Sequence, residues 1–193
     1  MPQTNPPLDL RKLRKQIRQQ RRALNPQQQT LAANRLKKKL IRSPLFLRSR
    51  HIAFYLPNDG EINPTPVMEE AWKRGKFCYL PVLSPFGGKL LFVRFEKGDE
   101  LILNKFSIPE PNPLKNRCRQ AWALDIVITP LVAFDNTGGR IGMGGGYYDR
   151  SFAFLKQKRA QKPKLLGVAH TLQKRQQLPI QPWDIPLDAV FTD

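Results

Sequence analysis

The chain has 193 residues, enough for one domain with a sizeable core, and its 40% apolar content is typical of globular proteins. Two cysteines are too few for a disulfide framework, and the first residues lack the charged start and apolar run of a secretion signal. No stretch approaches the roughly 18 apolar residues of a membrane helix. We therefore expect a single domain over residues 1–193 that is monomeric, cytoplasmic and without membrane contact.

The net charge of +18 is unevenly distributed, because residues 1–50 contribute +13 and the remaining 143 residues only +5. Such an excess attracts polyanions, so a basic nucleic-acid-binding protein is one interpretation. Aromatic residues are poorly interleaved with these cations and no recognised nucleic-acid motif is present, which counts against it. In a second interpretation the charge steers small anionic substrates to a site. Non-specific binding of polyanions is compatible with both.

Two helices are predicted at the basic N-terminal end. Residues 8–24 place apolar and basic side chains on neighbouring stripes at three- and four-residue steps, so that one stripe packs on the body of the protein and the other presents guanidinium groups. Asn25 followed by Pro26 is typical of a helix start, and this second helix is expected to end at about Arg42, before Pro44. The apolar stripe contains Leu10, Leu13, Ile17 and Leu24, and the basic stripe contains Arg11, Arg14, Arg18 and Arg21.

Beyond these helices, short apolar runs alternate with helical stretches. Strands are predicted over residues 51–56, 77–82, 90–95, 125–129, 165–169 and 189–192, and helices over residues 66–74 and 147–158. This alternation favours an α/β fold, with a single three-layer domain, a largely parallel central sheet flanked by helices, and the basic helix at the N-terminus.

Glycine is concentrated in one segment, residues 138–146, which we call the glycine loop and which holds six of the 12 glycines in the chain. The loop follows the predicted strand over 125–129 and precedes the predicted helix over 147–158. Glycine lets backbone N–H groups approach a ligand closely, and a helix N-terminus carries partial positive charge. Ligands of open α/β sheets bind beyond the carboxyl ends of the strands. The pattern therefore predicts a phosphate site in this loop.

Two common phosphate-binding motifs do not describe the glycine loop. No Lys-Ser or Lys-Thr pair follows the last glycine, which excludes a Walker A motif. A dinucleotide fingerprint that began at Gly142 would require its third glycine at Tyr147. A turn that uses glycine for backbone reasons alone is the alternative to a phosphate site.

The residues that follow the loop extend it into a longer and more specific string. Gly139-Arg140-Ile141-Gly142-Met143-Gly144-Gly145-Gly146-Tyr147-Tyr148-Asp149-Arg150 closely resembles the signature of the 5-formyltetrahydrofolate cyclo-ligase family, also called methenyltetrahydrofolate synthetases. The resemblance covers nearly the whole chain. It includes the basic N-terminal helix, Asp59-Gly60-Glu61-Ile62, Ile128-Thr129-Pro130-Leu131-Val132-Ala133-Phe134-Asp135 and Trp183-Asp184-Ile185-Pro186-Leu187-Asp188.

The resemblance implies a small α/β fold and an enzyme that converts 5-formyltetrahydrofolate to 5,10-methenyltetrahydrofolate with ATP and Mg²⁺. In that family the formyl oxygen attacks the γ-phosphate to give an imino-phosphate, a folate nitrogen closes the ring, and phosphate leaves. Such chemistry asks the protein mainly for positioning and charge neutralisation. A diverged nucleotide-binding relative with lost or altered activity is the alternative on the same fold.

For ATP, the resemblance implies contacts from the N-terminal helix and the glycine loop. The family usually has a basic residue where this chain has Leu10, and Arg11 is the candidate to replace it. Some members carry lysine at the position of Gly145. The implied ATP-binding residues are Arg11, Arg14, Arg140, Ile141, Gly142, Met143, Gly144, Gly145, Gly146, Tyr147 and Tyr148.

For folate and Mg²⁺, the resemblance implies a second group of residues. Glu61 is a substrate-contacting acid, and a carboxylate suits the adjacent N–H donors of the pterin ring. The implied substrate-binding residues are Leu56, Glu61, Phe106 and Tyr147, and the implied Mg²⁺ ligands are Asp149 and Asp188. No catalytic residue is expected beyond those that position ATP and Mg²⁺, of which Arg140 and Asp149 are the best candidates.

Overall fold

A mixed sheet of seven strands lies at the centre of the computed structural model, which describes residues 9–85, 87–112, 118–157 and 161–193. Within this part of the chain the strands are β1 (His51–Ala53), β2 (Phe77–Leu83), β3 (Leu90–Arg94), β4 (Leu101–Leu103), β5 (Pro109–Pro111), β6 (Cys118–Arg119), β7 (Ile126–Pro130), β8 (Ala133–Phe134), β9 (Arg140–Ile141), β10 (Lys164–Ala169) and β11 (Ala189–Thr192). The central sheet has the order β11-β10-β7-β1-β2-β3-β6, and β4-β5 and β8-β9 form two small hairpins.

The central sheet is largely parallel, as the sequence predicts. The neighbours β11, β10, β7, β1 and β2 all run in the same direction, whereas at one edge β3 runs antiparallel to β2 and β6 pairs antiparallel with β3. The central strands are almost continuously apolar, which suits a parallel sheet that is covered on both faces. In β7, for example, residues 126–129 are all buried.

The described helices are α1 (Leu10–Arg22), α2 (Pro26–Leu40), α3 (Pro44–Arg48), α4 (Thr65–Lys73) and α5 (Tyr147–Phe152). Asp9 caps α1 by accepting hydrogen bonds from the amides of Arg11 and Lys12. Asn25 begins α2 with a reciprocal capping box to Gln28, which confirms the predicted helix start.

The sheet is covered on both faces, which gives the predicted three layers. On one face α2 and α4 bury a large cluster that contains Leu36, Leu40 and Met68. On the other face α5 and the segment before β11 pack Phe152 and Leu187 against the sheet. This arrangement leaves the carboxyl ends of the parallel strands for the loops that carry the candidate site.

Several elements differ from the sequence-based predictions. The helix α3 was not predicted, because Pro44 was interpreted as a stop, but Ser43 caps it and Phe46 is buried by it. The short strands β4, β5, β6, β8 and β9 are also absent from the predicted elements. The predicted helix over 147–158 ends at Phe152 and continues as a 3₁₀ turn, and residue 158 lies outside the described residues. The rings of Phe152 and Phe154 contact each other, which an i,i+2 pair in a regular α-helix does not do.

The helix α1 packs beyond the carboxyl end of β7. Its apolar stripe buries Leu13 and Ile17 against Val132 and Ile141, and Leu10 packs at the border of the same cluster. An apolar residue at position 10 therefore has a packing partner in this protein. None of the helices in the described ranges is long and apolar enough to cross a membrane.

Candidate active site

Loops that follow three adjacent parallel strands meet at the carboxyl edge of the sheet. They follow β7, β1 and β2, which are neighbours in that order. Arg21 of α1 joins the first two loops, because it donates hydrogen bonds to the Leu131 carbonyl oxygen and to Asp59, both at 3.2 Å. Arg150 joins the loop after β7 to Gly88 after β2. The predicted location at the carboxyl ends of the strands is thus a place where several loops converge.

A buried aspartate organises the turn that begins the glycine loop. Asp135 is 3% exposed and accepts hydrogen bonds from the amides of Thr137, Gly139 and Leu178 at 2.9 to 3.0 Å. Burial alone would raise the pKa of Asp135, but the hydrogen bonds from Thr137, Leu178 and Gly139 lower it below its usual value. The turn between β8 and β9 is therefore fixed by one carboxylate.

The exposed part of the glycine loop faces α1. Arg14 Nε donates to the Gly142 carbonyl oxygen at 2.9 Å, so two of the predicted ATP-binding residues lie side by side. Gly144 has a φ of +96°, a conformation that favours glycine. At Gly142, by contrast, an added Cβ would meet no atom within 4 Å. Packing within the protein does not require glycine at Gly142, and the space beside it is open to a ligand.

Arg150 holds the other side of the glycine loop. Its Nη2 donates to the Gly145 carbonyl oxygen at 2.7 Å, and its Nε donates to the Gly88 carbonyl oxygen at 2.8 Å. The guanidinium also lies over the ring of Tyr147, 5.1 Å from the centroid. The resemblance assigned no role to Arg150, and only the position of Gly88 in space reveals this contact.

Arg140 and Asp149 form an ion pair behind the loop. Arg140 Nη2 lies 2.6 Å from Asp149 Oδ1, and the same oxygen accepts the amide hydrogen of Ile185 at 3.2 Å. Arg140 also donates to the Ile185 carbonyl oxygen. Side-chain exposure is 6% for Arg140 and 25% for Asp149, so the carboxylate is the more accessible member of the pair.

Glu61 is a largely buried carboxyl group at the end of the loop after β1. Its side chain is 14% exposed, Oε1 lies 3.9 Å from Arg21 Nη1, and Oε2 accepts the Asn58 amide hydrogen at 3.2 Å. Burial raises the pKa of Glu61 to about 7, although Arg21 opposes that shift. The carboxylate in turn contributes to the raised pKa of Tyr148, of which burial is the main cause.

Two aromatic rings meet above the glycine loop. Phe106, at the tip of the β4-β5 hairpin, is 53% exposed and approaches Tyr147 edge-on with a centroid distance of 6.3 Å. Asn104 fixes that tip by accepting the amide hydrogens of Phe106 and Ile108. The structure thus brings together two of the predicted substrate residues. Leu56 is partly buried against the main core cluster.

The two predicted Mg²⁺ ligands lie in different surroundings. Asp188 precedes β11, where Oδ1 accepts a hydrogen bond from Lys164 Nζ at 2.9 Å and Oδ2 accepts one from the Leu165 amide at 2.8 Å. Asp149 is paired with Arg140 instead. Across the described ranges, no group of three or more His, Cys, Asp or Glu side chains has the arrangement of a metal site. A divalent cation here would depend largely on ligands from substrate and water.

Two of the four arginines in the predicted basic stripe of α1, Arg18 and Arg21, bind an acidic residue of the protein itself. Arg18, Arg21 and Arg22 all direct their guanidinium groups to Asp59, forming what we call the Asp59 cluster. Arg18 Nε lies 2.5 Å from Asp59 Oδ2, and Arg21 is completely buried. The sequence offered one signal for this cluster, an aspartate beside Gly60 in a chain with few acids. That signal does not show which arginines bind the aspartate. Arg11 remains exposed.

The fold and the loop define an α/β protein with a candidate anion site at the carboxyl edge of its sheet. The chain belongs to the 5-formyltetrahydrofolate cyclo-ligase family, whose model matches residues 9–193. This confirms the resemblance found in the sequence and makes the chain a ligase of folate-dependent one-carbon metabolism.

Individual relatives agree with this family. The 5-formyltetrahydrofolate cyclo-ligase of Escherichia coli K12 is 42% identical over 177 residues, which covers 91% of this chain and 96% of the relative. A 5,10-methenyltetrahydrofolate synthetase structure from Aquifex aeolicus matches with a TM-score of 0.78 at 30% identity, covering 94% of this chain and 88% of that one. The corresponding structure from Mycoplasma pneumoniae matches with a TM-score of 0.75 at 26% identity, covering 96% of this chain and 99% of that one.

Proposed function

We propose that this protein converts 5-formyltetrahydrofolate to 5,10-methenyltetrahydrofolate in a reaction that consumes ATP and requires Mg²⁺, giving ADP and phosphate. Membership of the cyclo-ligase family supports the overall reaction. The observation that carries the proposal is the placement of an open glycine loop next to a buried carboxyl group. The loop offers a nucleotide site at Gly142, and Glu61 offers an acceptor for the pterin ring, at the ends of adjacent strands.

The triphosphate is proposed to bind along residues 140–148. Backbone amides of the glycine loop and the guanidinium of Arg14 supply hydrogen bonds and positive charge, and Arg140 adds charge from behind. The predicted role of Arg11 stays a prediction, because its side chain is exposed and its direction differs from that of Leu10, which it would replace, by about 100° around the helix. Folate is proposed to bind between Glu61 and the pair of rings formed by Phe106 and Tyr147.

The proposed reaction has two covalent steps. The formyl oxygen attacks the γ-phosphorus while the bond to ADP breaks, which gives an imino-phosphate and converts a poor leaving group into a good one. The N10 nitrogen then attacks the activated carbon, loses its proton to solvent, and phosphate departs with the former formyl oxygen. The protein contributes by aligning the two substrates and by neutralising charge rather than by supplying a nucleophile.

The site offers Mg²⁺ one suitable protein ligand. One accessible carboxylate beside a phosphate-binding loop matches the preference of Mg²⁺ for one or two protein carboxylates together with phosphate oxygens and water. Asp149 is therefore the residue proposed to hold it, and the ion would neutralise charge that develops on the triphosphate. Asp188 stays a prediction from the family resemblance, since both of its carboxylate oxygens accept hydrogen bonds, whereas the described contacts of Asp149 all fall on Oδ1.

The test is to incubate the purified protein with ATP, Mg²⁺ and 5-formyltetrahydrofolate and to follow the near-ultraviolet absorbance of the methenyl product. Absorbance should rise in proportion to enzyme concentration and stop when ATP is omitted. Asp149→Asn and Arg14→Ala should slow the reaction, since each removes a group from the proposed nucleotide site. A wild-type protein that produces no absorbance change at any concentration would rule the proposal out.

A further inference from the structure

Arg21 is a fully buried cation whose partners come from two different loops. It lies in the last turn of α1, yet its side chain is 0% exposed. Nη1 donates to the Leu131 carbonyl oxygen at 3.2 Å, and Nη2 lies 3.2 Å from Asp59 Oδ2. Removing a guanidinium from water carries a large desolvation cost, which is tolerable only when charged partners compensate it. Two carboxylates supply that compensation here.

The second carboxylate is Glu61. Its Oε1 lies 3.9 Å from Arg21 Nη1, so the guanidinium bridges Asp59 and Glu61 on the same loop. The backbones of this loop and of α1 are also in close contact, because a Cβ added at Gly60 would lie only 2.8 Å from the Arg21 carbonyl carbon. Gln29 adds hydrogen bonds to the carbonyl oxygens of Arg21 and Gly60. The loop that carries Glu61 therefore depends on α1 for its position.

Arg18 and Arg22 differ from Arg21 in this respect. Both bind Asp59, but their side chains are 36% and 58% exposed, and neither has a described contact with Glu61. The Asp59 cluster thus contains two arginines that anchor the loop from the solvent side and one that reaches the candidate folate site from inside. A variant of Arg22 can therefore be compared with a variant of Arg21 to separate loop anchoring from the contact with Glu61.

We propose that Arg21 is a positioning residue for substrate binding, which holds the Glu61 carboxylate charged and oriented toward folate. The inference rests on the proposed function of Glu61. A carboxylate accepts both N–H donors of the pterin edge, whereas a protonated carboxyl group presents a hydrogen toward one of them. Arg21 touches no reacting atom and acts through Glu61 alone.

Several groups act on the charge of Glu61. Its pKa of about 7 reflects burial, which favours the neutral form, against the opposing effect of Arg21 and the Asn58 amide. Folate affinity should accordingly strengthen as pH rises through about 7. The other titratable and charged groups around it are Asp59 on its own loop, Tyr55 after β1, Tyr148 in α5, and, one group further away, His170 after β10 and Arg140 in β9.

The test compares Arg21→Met, Arg21→Lys and Arg22→Gln in the full-length protein. The dissociation constant for 5-formyltetrahydrofolate is measured by calorimetry without ATP, and KM for both substrates is measured in the absorbance assay. Arg21→Met should weaken folate binding about ten-fold at pH 7 and move the midpoint of its pH dependence upward by about one unit. KM for ATP should change by less than about two-fold, and Arg21→Lys should restore part of the affinity.

Arg22→Gln is the matched control, because it removes a partner of the same Asp59 carboxylate without reaching Glu61. It should leave folate affinity within about two-fold of wild type. Equal effects of Arg22→Gln and Arg21→Met, or an unshifted pH midpoint in Arg21→Met, would overturn the inference. If Arg21→Met does not fold, Arg21→Lys decides: weaker folate affinity with a wild-type pH midpoint would mean that Arg21 is structural only. A wild-type enzyme that makes no methenyl product would instead refute the proposed function.

Discussion

Single carboxylates in this protein differ in charge state because their partners differ. Glu61 has a pKa raised to about 7, since burial outweighs one nearby guanidinium. Asp125 is also partly buried, but it receives hydrogen bonds from the amides of Arg50 and His51 and from Lys162 Nζ at 2.6 to 2.9 Å. Although burial acts in the opposite direction, these donors lower the pKa of Asp125 to about 2. Two carboxyl groups of similar intrinsic pKa are thus shifted in opposite directions by their surroundings.

Asp125→Asn is expected to lower the free energy of unfolding at pH 7. The folded-state pKa of about 2 lies below the usual 3.8, so the charged form stabilises the native state above about pH 4 and that contribution is lost as pH falls toward 2. We expect a loss of about 1 to 2 kcal/mol at pH 7, below the full value of the pKa difference because Lys162 is largely exposed. The change in the free energy of unfolding is measured by urea unfolding at pH 7, 5 and 3.

The control for Asp125→Asn is Asp184→Asn, which removes a carboxylate whose oxygen accepts one hydrogen bond from the Gln181 amide. Its effect at pH 7 should stay within about 0.5 kcal/mol. A destabilisation by Asp125→Asn that is the same at pH 3 as at pH 7 would contradict the assignment of the effect to the charged carboxylate.

At the scale of elements, α1 connects the two halves of the candidate site. One end holds the glycine loop through Arg14 and Gly142, and the other end holds the loop after β1 through the Asp59 cluster. Its apolar stripe fixes the helix on Leu13 and Ile17, so the spacing between the two contacts is set by helix geometry. A helix that the sequence marks only as basic and amphipathic therefore aligns the glycine loop with the loop that carries Glu61.

Arg14→Met should mainly weaken nucleotide binding. The loss of its hydrogen bond to the Gly142 carbonyl oxygen and of one positive charge is expected to raise KM for ATP about ten-fold, with KM for folate changed by less than about two-fold. Lys15→Met removes the same charge from an exposed neighbouring position and should change both values by less than about two-fold. Equal increases in KM for ATP in the two variants would show that charge alone matters.

Across the whole molecule, some positive side chains bind carboxylates of the protein itself, and others are exposed to solvent. The net charge is +18, and Asp59 offsets only part of the charge of the three arginines in the Asp59 cluster. Exposed cations that have no described carboxylate partner, such as Lys12, Arg35 and Lys38 on the N-terminal helices, are free to steer anionic substrates. This corrects the expectation that the basic stripe of α1 presents a continuous line of guanidinium groups to solvent.

Replacing Lys12, Arg35 and Lys38 together by glutamine should reduce the salt dependence of kcat/KM without changing kcat, because screened long-range attraction acts on encounter rather than on chemistry. The measurement is kcat/KM for ATP between about 0.05 and 0.5 M salt. An unchanged salt slope would count against steering.

Over the same range of salt concentrations, binding of duplex DNA by the wild type should disappear near physiological salt. Binding that persists there would support the nucleic-acid interpretation.

Some elements were predictable because their signals are local. The start of α2 follows from Asn25 and Pro26, and the largely parallel sheet follows from apolar runs such as residues 126–129. The end of α5 was not predictable, since it depends on how Phe152 and Phe154 share one cluster. Within the candidate site, Arg14 and the glycine loop are both predicted from the family motif, whereas the contacts of Arg14, Arg150 and Arg21 are not, because their partners are distant in sequence.

The amino-acid sequence by itself determined the family, the α/β class and the identity of the glycine loop, because periodicity, caps and a contiguous motif are properties of neighbouring residues. Only the tertiary structure decided which charges are available to a ligand. Arg14 reaches the loop, Arg21 is buried between two carboxylates, and Asp188 is bound by Lys164. The physical reason is that the partners of a charged group, and its exposure to water, are set by segments that meet only when the sheet has formed.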